Sequence, residues 1–106
     1  MTFYIPKNKN LYLFGSGIVA KKTLEKYKNL NLSGIYDNSP NLWGDKYLNF
    51  KIYDPKKIDL NNDFIIITST SFSIIKEQLK KKKLKENKHF VISPLLEDLS
   101  KVEELE

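Results

Sequence analysis

Short apolar runs separated by glycine- and asparagine-rich turns occur at intervals along the chain. Residues 10–14 (NLYLF), 32–36 (LSGIY) and 63–68 (DFIIIT) are apolar or β-branched over most of their length. Runs of this kind are typical of strands buried on both faces, as in a parallel sheet. We therefore predict three buried strands there, and two shorter strands at 50–53 (FKIY) and 89–92 (HFVI).

Between these runs, apolar residues recur every three or four positions, which is the spacing of one face of an α-helix. The pattern predicts a helix from Gly17 to about Lys28 and a second helix from Phe72 through a lysine-rich stretch to Asn87. It also predicts a short acidic helix over 95–105. The apolar positions that define the three helices are Ala20, Leu24, Tyr27, Phe72, Ile75, Leu79, Leu95, Leu99 and Val102.

Strands that alternate with helices are typical of α/β proteins with right-handed crossovers. The order of elements predicts a three-layer Rossmann-like sandwich around a parallel sheet of four or five strands. At 106 residues the chain accommodates a single domain, 1–106, with a core that we expect over about 10–96. A complete two-domain dehydrogenase does not fit this length.

Charge is concentrated rather than spread along the chain. The net charge is +5, and all 18 basic residues are lysines. Residues 76–88 hold seven lysines and two acids, whereas residues 94–106 hold one lysine and five acids. Lysines at the C-terminal end of a helix complement its dipole, and this block has neither arginine nor interleaved aromatic residues. We therefore interpret it as a solvated face and expect no nucleic-acid partner.

The chain has no cysteine and one histidine, His89. Disulfides, thiolate metal sites and cysteine nucleophiles are thereby excluded. No serine–histidine–acid spacing surrounds His89, which we expect to be structural. No apolar stretch is long enough to span a bilayer. We expect a cytoplasmic protein with no membrane span, no metal site and no complete catalytic constellation of its own.

The strongest candidate for ligand chemistry is the run 15–20 (GSGIVA), a G-x-G-x-x-A pattern between an apolar strand and an amphipathic helix. There the first glycine allows a tight turn, the second lets a phosphate approach the backbone, and the small third residue brings the helix close to the sheet. Asp37 ends the second strand, where a carboxylate can accept hydrogen bonds from ribose hydroxyls. Alternatively, the glycines only make a turn and Asp37 only caps the turn before Pro40.

Hydroxyl residues cluster after the third buried strand, at the sheet edge where ligands of open α/β folds bind. They either contact phosphate or sugar oxygens, or one of Thr70 and Ser71 caps the second helix. Trp43 either stacks on a base or covers the sheet edge. The predicted nucleotide-binding residues are Gly15, Ser16, Gly17, Ile18, Asp37, Asn38, Thr68, Ser69 and Thr70.

Four segments occur in a recognisable order: 11–17 (LYLFGSG), 34–38 (GIYDN), 52–55 (IYDP) and 63–67 (DFIII). With the turn glycine Gly44, they make residues 10–96 resemble the small Rossmann-like domains of bacterial polysaccharide-biosynthesis proteins. Such domains stand at the N-terminus of β-helix sugar acyltransferases and of nucleotide-sugar dehydratases. The resemblance implies nucleotide or nucleotide-sugar binding, and the positions carried over are Gly15, Ser16, Gly17 and Asp37.

This chain also departs from those enzymes. Ile18 and Val19 stand where the acyltransferases often have a histidine, and the hexapeptide repeats of the acyltransferase body are absent. We therefore expect a binding module of capsule or lipopolysaccharide biosynthesis that is a domain of, or a partner to, a sugar-modifying enzyme. A UDP-sugar or NAD is the expected ligand, since no arginine near Asp37 could pair with the 2′-phosphate of NADP. The alternatives are an NAD-binding domain and a ligand-free interaction module that forms a homodimer.

Overall fold

The computed structural model describes residues 4–97. It is a mixed α/β fold with one six-stranded, mostly parallel sheet and two α-helices. The elements are β1 (Asn10–Phe14), α1 (Ile18–Lys26), β2 (Leu32–Tyr36), β3 (Lys46–Tyr47), β4 (Phe50–Tyr53), β5 (Asp63–Ile67), α2 (Phe72–Lys81) and β6 (Phe90–Ile92). Three short 3-10 turns, Pro40–Leu42, Pro55–Lys57 and Pro94–Leu96, each begin with proline, whose fixed φ suits a first helical position.

The strands lie in the order β3-β4-β2-β1-β5-β6. β4, β2, β1, β5 and β6 are parallel, and β3 pairs with β4 in the antiparallel sense. The parallel strands correspond to the five predicted apolar runs, so the predicted count of four or five strands is too low by β3. With two residues, β3 is too short to show the alternation that marks a strand in a sequence.

A tight hairpin loop joins β3 to β4. Its two residues, Leu48 and Asn49, have φ values of 54° and 69°. Left-handed φ at both loop positions is typical of a type I′ turn, whose twist matches that of the flanking strands. Asparagine tolerates this conformation, but leucine adopts it rarely. The hairpin therefore lacks the glycine that would predict it from the sequence.

The apolar core forms two clusters because successive side chains of a strand point to opposite faces of the sheet. In β5, Phe64 and Ile66 belong to one cluster together with Ala20 of α1. Ile65 and Ile67 belong to the other cluster, which also contains the predicted apolar face of α2, namely Phe72, Ile75 and Leu79. All five residues of β5 are buried, as expected of an interior strand.

α2 ends at Lys81, well before the end predicted from its lysine-rich pattern. The backbone turns at Lys83, whose φ is +73°. The amide of Lys83 donates to the carbonyl of Lys80 at 3.0 Å, and the amide of Leu84 donates to the carbonyl of Leu79 at 3.1 Å. These two bonds define a Schellman motif. Glycine usually occupies the left-handed position, and because lysine does so here, the sequence shows no stop signal.

The predicted acidic helix over 95–105 lies largely outside the described residues. Its described beginning is part of the 3-10 turn Pro94–Leu96, in which Ser93 Oγ accepts a hydrogen bond from the amide of Leu95 at 3.3 Å. Leu96 is buried in the same cluster as the apolar face of α2.

A buried pair, Tyr36 and Asp63, links β2 to β5 across the intervening strand. Tyr36 Oη donates to Asp63 Oδ2 at 2.7 Å, and the same oxygen accepts from the amide of Asp59 at 2.9 Å. The ring of Tyr12, on β1, stacks on that of Tyr36 with centroids 4.5 Å apart. Burial, reinforced by the Asp63 carboxylate, raises the pKa of Tyr36 far above its ordinary value. These donors allow a carboxylate to be buried in the sheet.

Candidate functional site

The loops that follow β1, β2 and β5 meet at the carboxyl edge of the sheet and enclose a cleft of about 330 Å³. Its lining consists of Gly15, Ser16, Gly17, Ile18, Val19, Asp37, Thr68, Ser69 and Thr70. The structure thus brings together every predicted site residue except Asn38, which lies in an adjoining cavity. Val19 is an additional lining residue that the sequence pattern does not single out.

The glycine turn is pressed against the end of β5. Gly15 has a φ of +120°, and a Cβ at this position would lie 2.7 Å from the carbonyl oxygen of Thr68. The Thr68 hydroxyl donates to the carbonyl of Gly15 at 2.8 Å, and the backbone amide of Thr68 donates to the carbonyl of Phe14 at 2.9 Å. Thr68 is buried, so its hydroxyl holds the turn in place rather than offering a hydrogen to a ligand.

The second glycine opens α1. Gly17 is the N-cap residue, and a Cβ there would meet no atom within 4 Å. The first helical bond runs from the amide of Lys21 to the carbonyl of Gly17 at 3.2 Å, so the amides of Ile18 and Val19 precede it. Glycine has no side chain to cap them. These amides, with the positive end of the helix dipole, can bind an anion.

Asp37 fastens the loop after β2 to the glycine turn. Its Oδ2 accepts hydrogen bonds from the amide and the hydroxyl of Ser16 at 3.1 and 2.8 Å, and its Oδ1 accepts from the amide of Ser39 at 2.9 Å. A carboxylate has about four acceptor positions. One therefore remains for a ligand hydroxyl, and rotation of the Ser16 hydroxyl would free another. The alternative role of Asp37, as cap of the turn before Pro40, is compatible with this.

The hydroxyl loop after β5 closes on itself. Ser69 Oγ accepts a hydrogen bond from the amide of Ser71 at 3.0 Å. Ser71 occupies the N-cap position of α2, but its side chain makes no capping hydrogen bond there. The side chain that accepts a hydrogen bond from the backbone of this loop is therefore that of Ser69, rather than that of Thr70 or Ser71.

Two aromatic residues of the 40–53 segment donate hydrogen bonds to backbone carbonyls of residues that line the cleft. Trp43 Nε1 donates to the carbonyl of Asp37 at 2.7 Å, and Tyr47 Oη donates to the carbonyl of Gly17 at 2.9 Å. Trp43 lines neither the cleft nor the adjoining cavity, which favours its role as a cover of the sheet edge. No sequence motif points to Tyr47, because its role depends on the hairpin that carries it.

Charge is scarce in the cleft. Among the described residues that line it, Asp37 is the one ionisable group. His89 stands away from it, and its Nδ1 accepts a hydrogen bond from the amide of Lys85 at 2.8 Å. Burial, followed by the charges of Lys88 and Lys9, lowers the pKa of His89. Its position in the turn before β6 agrees with a structural role.

Within residues 4–97, no group of three or more histidine or acidic side chains is placed to hold a metal ion. In the same part of the chain, no helix has the length and apolar character needed to cross a membrane.

The fold and the cleft define a small mixed α/β domain with a concave site at the carboxyl edge of its parallel strands. The chain belongs to the C2185-like, N-terminal family, which matches residues 7–90. No curated protein and no solved structure matches the chain.

Proposed function

We propose that this domain is a three-layer Rossmann-like module that binds a nucleotide or a nucleotide sugar. The three layers are supported by the division of the core, since the buried Ala20 of α1 belongs to one apolar cluster and the buried residues of α2 belong to the other, against which Val19 of α1 also packs. The parallel strands β4-β2-β1-β5-β6 support the Rossmann-like order.

The observation that carries the proposal is the position of the cleft. After β1 the chain adds β2 and then β4 toward one edge of the sheet, whereas after β5 it adds β6 toward the opposite edge. The strand order therefore reverses between β1 and β5, and ligands of open α/β sheets bind at such a switch point. The volume of about 330 Å³ is also within the range of small-molecule sites.

In this proposal the phosphates lie over Gly15–Gly17 and the ribose lies at Asp37. The free amides at the start of α1 support the first placement, and the remaining acceptor capacity of Asp37 supports the second. Because no lysine lines the cleft, the phosphate charge would be met by backbone amides. A UDP-sugar or NAD fits this pattern better than a ligand with an additional 2′-phosphate.

We further propose that the module serves a sugar-modifying enzyme of bacterial surface-polysaccharide assembly, in the cytoplasm. The description of its family as an N-terminal domain supports work beside a second, catalytic domain. The lack of a complete catalytic constellation in the sequence agrees with this division of labour.

Calorimetry against UDP-sugars, NAD and CoA tests the proposal, with Gly17→Val as the blocking variant. A Cβ at Gly17 would have no neighbouring atom within 4 Å, so the variant should fold, and we expect the valine side chain to obstruct the approach of a phosphate to the start of α1. Ser33→Val, at an exposed position of β2 outside the cleft, is the matched control. We expect the control to bind normally, and Gly17→Val to lose binding with an unchanged circular dichroism spectrum.

Failure of the wild-type domain to bind any of these ligands at millimolar concentration would overturn the proposal. Unchanged affinity in Gly17→Val would place the site elsewhere on the molecule.

A further inference from the structure

A second cavity, of about 270 Å³, adjoins the cleft. The two cavities share Gly15, Asp37 and Ser69, so they form one continuous surface with Asp37 at the junction. If the ribose lies at Asp37, a group attached to it can extend into the second cavity while the phosphates lie in the first. The following inference rests on the proposed function in this respect.

Three apolar residues are among those that line the second cavity. Phe14 and Ile75 are buried, whereas Ile74, in the first turn of α2, is 70% exposed. Covering an isoleucine with this exposure by a flat apolar surface lowers the free energy, because apolar surface is removed from water. Asp37 is the one ionisable group among the residues that line this cavity. The cavity therefore suits a neutral planar ring better than a phosphate.

The amide side chain of Asn38 lines this cavity, and it is paired with the amide side chain of Gln78, which lines a neighbouring cavity on α2. Asn38 Nδ2 donates to Gln78 Oε1 at 2.8 Å, and Gln78 Nε2 donates to Asn38 Oδ1 at 2.9 Å. The pair joins the loop after β2 to α2. Because a primary amide has two N–H groups and two carbonyl lone pairs, each keeps one donor and one acceptor after this pairing. Paired donors and acceptors of this kind are what amide side chains use to bind the edges of nucleobases.

We infer that the second cavity holds the nucleobase of the ligand and that Asn38 and Gln78 bind its hydrogen-bonding edge. The ring covers Ile74, and its donor and acceptor atoms meet the free groups of the amide pair or replace one amide in it. Gln78 is thereby a specificity-determining residue, contributed by α2 from outside the glycine turn and the Asp37 loop.

The test compares UMP and AMP with ribose 5-phosphate, which lacks a base, by calorimetry or NMR titration. Gln78→Leu removes the amide, and Gln78→Glu keeps the length but removes the N–H donor. Both residues are good helix formers, so α2 should persist. Glu77→Gln, at the neighbouring exposed position, is the control.

We expect either Gln78 variant to weaken the better-bound monophosphate about five- to tenfold, the value of one or two neutral hydrogen bonds, and to narrow the preference between UMP and AMP. Ribose 5-phosphate should bind the variants and the wild type equally. A purely structural role of Gln78 would instead weaken all three ligands alike.

The inference is overturned if the ratio of monophosphate to ribose 5-phosphate affinity is the same in wild type and variants. It is also overturned if the wild type binds ribose 5-phosphate as tightly as UMP and AMP. Both results leave nucleotide binding intact, whereas a wild-type domain that binds no nucleotide contradicts the proposed function itself.

Discussion

Replacement of Gly15 by alanine should destabilise the domain far more than the same change at its other turn glycines. Gly15 combines two constraints, a φ of +120° and a neighbouring carbonyl oxygen that would lie 2.7 Å from the new Cβ. Gly44 has a φ of +89° but open space around it, so it carries the first constraint alone. Gly17 carries neither, since its φ is −122° and no atom lies within 4 Å.

The expected losses in the free energy of unfolding follow from the constraints at each glycine. Holding alanine at a left-handed φ costs about 1–3 kcal/mol, which is the expected loss for Gly44→Ala. Gly15→Ala adds the displacement of the Thr68 backbone, and overpacking of this kind costs about 1–3 kcal/mol more. Its total is therefore about 2–6 kcal/mol, a large part of the stability of a small domain. Gly17→Ala should change the free energy of unfolding by less than about 1 kcal/mol.

Urea denaturation followed by circular dichroism measures these differences. With an m-value of about 1.5 kcal/mol per molar, Gly15→Ala should lower the midpoint by roughly 1.3–4 M and Gly44→Ala by roughly 0.7–2 M. Equal shifts for the two variants would show that the approach to Thr68 costs nothing. A Gly15→Ala midpoint within about 0.3 M of wild type would refute both parts of the reasoning.

Two further predictions concern pH. Burial and Asp63 keep Tyr36 protonated in the folded state, whereas an unfolded tyrosine loses its proton near pH 10, so stability should fall as pH rises above that value. Urea titrations should show the wild type losing up to about 1.4 kcal/mol more per pH unit than Tyr36→Phe, and parallel curves would contradict this. The lowered pKa of His89 affects stability at acidic pH, because an unfolded imidazole gains its proton near pH 6.5 while the folded one gains it at a lower pH. Stability should therefore fall as pH drops below about 6.5. The NMR titration midpoint of this single histidine should lie below that value. A midpoint at or above about 6.5 would count against the burial of the ring.

Local patterns were sufficient to predict much of the fold. The run at 10–14 coincides with β1 and the run at 32–36 with β2, because buried parallel strands need almost continuous apolar sequence. The end of α2 and the β3–β4 hairpin were missed for a common reason. Lys83 and Leu48 adopt left-handed conformations that sequence rules assign to glycine or asparagine, so neither position carries a turn signal in the sequence.

The cleft was predictable because its residues come from three loops at one edge of a parallel sheet. The contacts that shape it were not. Tyr47 reaches the carbonyl of Gly17 from a hairpin, and Gln78 reaches Asn38 from a helix, each across many intervening residues. Such pairs depend on the relative placement of whole elements, and a single sequence contains no periodicity that reports it.

The place of β1 inside the sheet has a consequence for synthesis on the ribosome. Leu11 pairs with Leu32, but on the other side Asn10 pairs with Asp63. The chain emerges N-terminus first, so β1 and β2 are available while β5 has yet to be translated. At about 5–20 residues per second, one backbone edge of β1 stays unpaired for roughly 3–10 seconds. An open, apolar strand edge invites pairing with other chains. The nascent protein thus has an unpaired strand edge available for aggregation before its fifth strand exists, and the cleft cannot form until that strand closes the gap.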